Sequence, residues 1–359
     1  MAASGNLLCP PSAFRTLPAI TLVVASCHRP GPLATLLGSV GTQTLETSAF
    51  EVAVVIDGFD SSEMKYRDIL ERCQGEAAFR LRYEFQLNAG PALARHRAIA
   101  AATTPWVCVV DDDMELSPAF LSEHLTVLRA GTSKTIVIGR VVPDAGWERA
   151  SIHEAMRTHA LLGLHNRLAQ GTRRPTAHAF MTGNVSFPRS FYVSIGGFDE
   201  NLRLAEDTEL GLRFEFAGAQ FVFADKASAV HHMHLGKYEE WLRRCIEYGT
   251  NAVYIYSKLE RDSRAHPLRN LVNGSRLNAA VVHALCWSES LAKCGIATLR
   301  WTGQVLRLIG LLQASIATHK AILAVAFHVG VRRALGSWRL VLETEHSFAA
   351  DPKAPRDPT

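Results

Sequence analysis

The sequence predicts an α/β fold: a mostly parallel sheet flanked by helices, with an all-helical extension at the C-terminal end. Three observations point there. Short Val- and Ile-rich runs alternate with helix-length segments from about residue 18 to 112. Each run ends in a Gly, Pro or Asp turn, as strands joined by crossover helices require. From Lys237 onward the strand rhythm stops and only helical spacing remains.

Taken in order, Ile20–Ala25, Glu51–Ile56, Leu81–Phe85 and Val107–Val110 are expected to be strands. Pro32–Val40, Glu63–Cys73 and Ala92–Ala102 are the helices between them. The middle keeps a looser rhythm: strands over Thr135–Arg140, Ala179–Phe187 and Gln220–Phe223, and helices over Ala150–Ala169 and Glu206–Ala217, the last stopped by Gly218. These patterns divide the chain into a flexible start (1–17), a sheet domain (18–236), a helical region (237–345) and a polar, Pro-rich disordered tail (346–359).

The chain has 359 residues, 48% of them hydrophobic and 20% charged, enough to bury a large core. A net charge of +4 with dispersed Lys and Arg gives no argument for nucleic acid as a partner. Seven cysteines without a CxxC pair suit reduced thiols in a cytosolic setting. Residues 1–15 do not read as a signal peptide. Ile20–Ser26 is too short to span a bilayer, and no spanning helix is expected elsewhere.

Trp106–Val110 runs into Asp111-Asp112-Asp113. Carboxylates at a strand end cost stability unless a cation or donor meets them. Asp111 and Asp113 share a side if the extended geometry persists, which suits Mg²⁺ or Mn²⁺ holding a diphosphate; a solvated acidic turn is the alternative. Asp57-Gly58 places a second carboxylate at a strand end, able to meet a nucleobase or ribose or simply to make a turn. Asn88–Pro91 opens a helix whose free N–H groups and Arg95 can reach a phosphate or the acidic cluster, or which is a plain Gly-Pro start with a surface arginine.

Gly196-Gly197-Phe198-Asp199-Glu200 leads into Glu206-Asp207-Thr208-Glu209-Leu210. A carboxylate at that helix start is expected to keep a low pKa and to serve as a positioned general base; dipole complementation with Glu209 in a capping pattern is the blander account. His231-His232-Met233-His234 can complete a metal shell begun by Asp113, with a three-histidine zinc site or a solvated loop as rivals.

In this order the stretches resemble the family 2 glycosyltransferases with a GT-A fold. The matching residues are Val23–Ser26 with Arg29-Pro30, Ile56-Asp57-Gly58, Asn88–Ala92 with Ala94-Arg95, Asp111-Asp112-Asp113, Thr182-Gly183-Asn184, Gly196–Glu200, Glu206–Leu210 and Ala229–His231. The resemblance covers about residues 18 to 260 and implies a nucleotide-diphospho-sugar transferase-like sheet that inverts the donor sugar's anomeric centre. It implies Asp57 at the nucleobase, and Arg29, Arg95, Asp111 and Asp112 around ribose and diphosphate. Asp113, Asp111 and His231 would hold Mn²⁺ or Mg²⁺, with His232 second to His231. Asp207 would be the general base with Glu206 as neighbour or substitute, and Gly183, Asn184 and Gly197 would line the donor-sugar and acceptor region.

The implied partners are a nucleotide-sugar donor, UDP-linked by family frequency, and a hydroxyl acceptor, either a glycan or a lipid-linked glycan. Processive members carry Gln-x-x-Arg-Trp; here the nearest stretch is Trp241-Leu242-Arg243-Arg244, which favours single addition. Leu306–Leu312 and Ala321–Val329, punctuated by Arg300, Arg307, Lys320, Arg332 and Arg333, read either as a packed helical hairpin or as a basic surface for the inner face of a membrane. The rival functions are a sugar nucleotidyltransferase, for which Cys27–Pro32 supplies no Gly-rich phosphate loop, and a non-catalytic nucleotide-sugar-binding module.

Overall fold

The structure, a computed structural model, describes residues 18–58, 62–147, 150–232 and 236–351. Its first half alternates as expected: β1 (Ile20–Ser26), α1 (Pro30–Val40), β2 (Phe50–Asp57), α2 (Glu63–Glu76), β3 (Arg80–Gln86), α3 (Pro91–Ala101) and β4 (Trp106–Asp111). Then come β5 (Met114–Leu116), α4 (Phe120–Ala130), β6 (Thr135–Pro143), α5 (Ile152–Ala169), β7 (Asn184–Pro188), α6 (Arg189–Ser194), α7 (Glu206–Phe216) and β8 (Gln220–His231). The helical region comprises α8 (Tyr238–Lys258), α9 (Arg269–Asn273), α10 (Arg276–Leu285), α11 (Glu289–Leu308), α12 (Leu312–Leu335) and α13 (Trp338–Ala350).

One eight-stranded sheet runs in the order β3-β2-β1-β4-β7-β6-β8-β5. The pairs β1–β2, β2–β3, β1–β4 and β6–β8 are parallel; β4–β7, β6–β7 and β5–β8 are antiparallel. Strand alternation sorts the core onto two faces. Leu22, Val24, Val52, Val54 and Val110 pack with α1, α2 and α4, whereas Val23, Ala53, Val55 and Val109 pack with α3, α6 and α7. Both faces are therefore covered, which is why these strands read as continuous apolar runs.

Three expectations are corrected. The strand foreseen over Ala179–Phe187 is only Asn184–Pro188, because a tight 3-10 turn at Ala177–Ala179 and the Thr182-Gly183 turn come first. The tail does not begin at 346, since α13 continues to Ala350 with Phe348 buried; residues 352–359, like the flexible start at 1–17, lie outside the described residues. Leu306–Leu312 is not one apolar face but straddles the turn between α11 and α12.

The helical region has its own core around Trp241, Cys245, Ile322, Val325, Val329 and Val341. Met156 of α5 joins it, so α5 bridges the two parts. Although α12 is long and apolar enough to cross a membrane, 61% of its apolar window is buried inside the fold. The basic residues foreseen as a membrane-facing set are largely engaged: Arg300 with Glu239 and the Tyr238 ring, Arg307 with the Ala150 carbonyl, and Arg333 with Glu289. The six described cysteines are free thiols.

Helices α8 and α12 touch through glycine. A Cβ on Gly249 would run into the Phe327 carbonyl, and one on Gly330 into the Ile246 carbonyl. Backbone cannot yield there as a flexible side chain can. Gly330→Ala is expected to destabilise the protein by about 2 kcal/mol, as overpacking does, and to lower its melting temperature. An unchanged melting temperature would show that the two helices are not held in contact.

Candidate active site

The cavity opens where β1 and β4 end and where α3, α5, α7 and α8 converge. It measures about 280 Å³, and acids and arginines dominate its wall: Asp111, Asp112, Asp113, Glu206 and Asp207 with Arg29, Arg95, Arg157, Arg203 and Arg244. Cys27, Thr182, His231 and Tyr248 are also on the wall. Asp113 and Asp207, 94 positions apart in the chain, thus face one space.

The carboxylate triplet divides its partners. Asp111 ends β4, and Asp112 and Asp113 form a turn before β5, so the extended geometry does not persist. Asp111 Oδ1 accepts from Arg95 Nη2 at 2.7 Å. Asp112 accepts from Ser26 Oγ at 2.5 Å and lies 3.4 Å from Arg29 Nη1. Burial pushes the Asp112 carboxyl up to about 6, even with Ser26 and Arg29 favouring its charge. Asp113 Oδ2 accepts from Arg29 Nη1 at 2.7 Å. Burial alone would raise the Asp113 carboxyl too, but His231 and Arg29 outweigh it and hold it below the usual range.

Asp113 Oδ1 is buried without a hydrogen-bond partner and lies 3.2 Å from His231 Nε2. An orphaned carboxylate oxygen beside an imidazole nitrogen fits a hard divalent cation that takes its remaining ligands from substrate and water. Asp111 is held by Arg95 instead. Among the described residues no three His, Cys, Asp or Glu groups close a cage of their own, so the structure does not gather Asp111, Asp113 and His231 as a three-ligand set; it places only Asp113 and His231 in contact. His232 turns away to Glu115 and Asp144, at 2.9 and 3.3 Å. His234 lies outside the described residues.

Arg95 carries the other half of the site. It is 8% exposed and donates to Glu206 Oε1 at 2.6 Å as well as to Asp111. Helix α7 thereby starts against the end of β4. Its N-cap, Ala205, has φ +66° and makes no side-chain cap. A left-handed alanine persists only where its surroundings over-determine it, as at ligand sites. Beyond it Asp207 Oδ1 accepts the Thr208 N–H at 2.7 Å.

The expectation of a low pKa at this helix start is corrected. Burial raises the Asp207 carboxyl, and burial with the adjacent Asp207 charge raises Glu206 against the pull of Arg95. Desolvation here exceeds the helix dipole. The capping pattern also fails: Glu209 is fully buried and pairs with Arg213 and Lys258 at 2.6 and 2.8 Å.

Other expected residues sit differently. Asp57 is 4% exposed and off the cavity wall; its carboxylate accepts from Gln86 Nε2 and the Ala89 and Gly90 N–H groups, and so holds the turn that starts α3. Asn184 points into the sheet, donating to the Arg140 and Ala227 carbonyls and meeting His124 Nε2 at 2.8 Å. Gly197 packs under His96 and Tyr192. Neither Asn184 nor Gly197 lines the cavity; Thr182 does. Gly183 lies beside the Asp111 carboxylate, where a Cβ would stand 3.2 Å from Oδ2.

Sequence reasoning missed Arg157, Arg203 and Tyr248, and it noted Arg244 only as a near match to another motif. Arg157 and Tyr248 carry no signal, because their role depends on α5 and α8 crossing over the sheet edge. Arg203 bonds Asn88 at 3.0 Å.

A mostly parallel sheet with acids gathered beyond its strand ends, flanked by helices and followed by a helical region, defines the class as a glycosyltransferase-like α/β fold. The family model for Glycosyl transferase family 2 matches residues 21–196. The Pre-mycofactocin glycosyltransferase of Mycobacterium tuberculosis (strain CDC 1551 / Oshkosh) is 27% identical over 197 residues, covering 55% of this chain and 40% of that protein. The Validoxylamine A glucosyltransferase of Streptomyces hygroscopicus subsp. jinggangensis is 24% identical over 255 residues, covering 62% of this chain and 58% of that one. The chain thus spans 40% to 58% of the length of these relatives. Among solved structures, the mannosyltransferase PcManGT from Pyrobaculum calidifontis, in complex with GDP-Man and Mn²⁺, superposes with TM-score 0.60 at 18% identity over 88% of this chain and 87% of that one. S. aureus TarS 1–349 with UDP gives 0.51 at 14% identity over 89% and 92%.

Removing Arg95 leaves Glu206 buried without its partner. Arg95→Ala is expected to destabilise the fold by about 3 kcal/mol, more than Glu206→Gln does, in thermal or denaturant unfolding. Equal losses would mean that Arg95 is not the junction.

Proposed function

We propose that the protein transfers a sugar from a nucleotide-diphosphate donor, UDP-linked in the first instance, to a hydroxyl acceptor with inversion and by single addition. The observation that carries this reading is the sharing of one cavity by Asp113–His231 and Asp207. Asp207 takes the acceptor proton as its oxygen attacks the anomeric carbon; the bond from that carbon to the diphosphate breaks on the opposite face. Glu206, fixed by Arg95, holds the first turn of α7 and hence Asp207. Mn²⁺ or Mg²⁺, held by Asp113 and His231, would supply neutralisation of the charge on the leaving diphosphate. PcManGT, solved with GDP-Man and Mn²⁺, supports this use of donor and ion.

Asp207→Asn is expected to lower the transfer rate at least about 100-fold, as loss of a general base does, with nucleotide affinity kept. Asp113→Ala should remove the stimulation by Mn²⁺. Full turnover in Asp207→Asn, across UDP-glucose and GDP-mannose, would end the proposal. The acid limb of kcat/KM has a sign set by the site. Asp207 must be ionised, and burial and the Asp111 charge oppose ionisation more than the Thr208 N–H, Arg95 and Arg157 favour it. The rate therefore rises with pH through an apparent value above the ordinary carboxylate range of about 3.9–4.3. A limb at or below that range would contradict it.

A cytoplasmic setting at the inner face of a membrane goes with this reading, for a glycan, lipid-linked glycan or smaller hydroxyl acceptor. Its support is the exposed apolar set on and around α11: Trp287, Leu291, Trp301, Leu308, Ile309 and Leu311. The expected result is sedimentation with phosphatidylglycerol vesicles, reduced several-fold by Trp301→Glu with Leu308→Glu. A wild-type protein that stays in the supernatant would retire the membrane contact.

A further inference from the structure

A second cavity adjoins the first. It measures about 220 Å³ and lies between α5, α8 and α12, walled by Met156, Ala160, Trp241, Cys245 and Leu323. Arg157, Arg244 and Tyr248 line both cavities, so they stand at the mouth of the apolar chamber on the side of Asp207. Asp113, His231 and Arg29 line only the first cavity.

The two arginines differ from the others in the site. Arg29 and Arg95 are committed to Asp112, Asp113, Asp111 and Glu206, and Arg203 to Asn88. Arg157, which is exposed, and Arg244, which is half-buried, make no hydrogen bond and no ion pair with any carboxylate among the described residues. A guanidinium fork recognises carboxylate or phosphate. An apolar cavity of about 150 Å³ accepts a benzene ring, so this chamber has room for one ring or a short branched chain.

We propose that the acceptor carries an anionic group next to its reacting hydroxyl and a compact apolar body beyond it. The anion sits on Arg157 and Arg244 and the apolar body fills the chamber under Trp241. This rests on the glycosyltransferase reading and narrows its acceptor. The order hydroxyl, anion, apolar group follows the order Asp207, arginine pair, chamber.

The full-length protein is titrated with 3-phenyllactate, its neutral amide, lactate, and 1-hydroxy-2-phenylethylphosphonate. Either phenyl anion is expected to bind at least 10-fold tighter than the amide and than lactate; the ratio of the two anions tells carboxylate from phosphate. Arg157→Gln and Arg244→Gln should erase the preference for charge. Ala160→Phe, which fills the chamber, should reduce phenyllactate to the affinity of lactate. UDP and GDP affinity, measured with Mn²⁺ on the same variants, should stay within 2-fold and reports their folding. Equal binding of acid and amide by the wild type would overturn the proposal. So would arginine variants that lose nucleotide but keep the charge preference. Failure to bind either nucleotide, with the probe preference intact, would count against the glycosyltransferase reading instead.

Discussion

Arg95 is the joint on which the site depends. It sits in the second turn of α3, almost without exposure, and each end of its guanidinium meets a carboxylate from a distant part of the chain. Glu206 alone would be a buried charge at an uncapped helix start, and Asp111 would repel Asp112. Bridging them converts two costs into one connection between the β4 end and the start of α7. The bidentate fork is suited to this, since it holds direction as well as charge.

The cavity wall follows from that joint. Its acids and arginines are matched in number, yet they are not matched in pairing. Arg29 is used by Asp112 and Asp113, Arg95 by Asp111 and Glu206. What remains is Asp113 Oδ1 facing His231 at 3.2 Å, an Asp207 carboxyl whose ionisation burial opposes, and Arg157 and Arg244 on α5 and α8 without a carboxylate at ion-pair distance among the described residues.

The early strands and helices were legible because hydrophobic runs and turn residues report local structure directly. Asp111–Asp113, Arg95 and Asp207 were legible for a related reason: strand ends and helix starts are read from local pattern, and in such sheets those ends collect at one edge. Their partners were not legible. Nothing near Asp57 says that its carboxylate will be taken by the turn at Ala89 and Gly90, nor near Asn184 that it will span two carbonyls inside the sheet. The low pKa expected for Asp207 failed on the same ground, because desolvation is set by elements packed over it, Tyr248 of α8 among them.

The family model ends at residue 196, before Glu206, Asp207, His231, Arg244 and Tyr248. What it covers is the sheet and the acidic strand end. What it omits are Asp207, His231 and the α8 wall. Helix α8 is held against α12 by the glycine contacts at Gly249 and Gly330, and α5 packs into the same core through Met156. The helical region is thus a working wall of the cavity and no mere appendage, and its geometry fixes where Arg157 and Arg244 stand relative to Asp207.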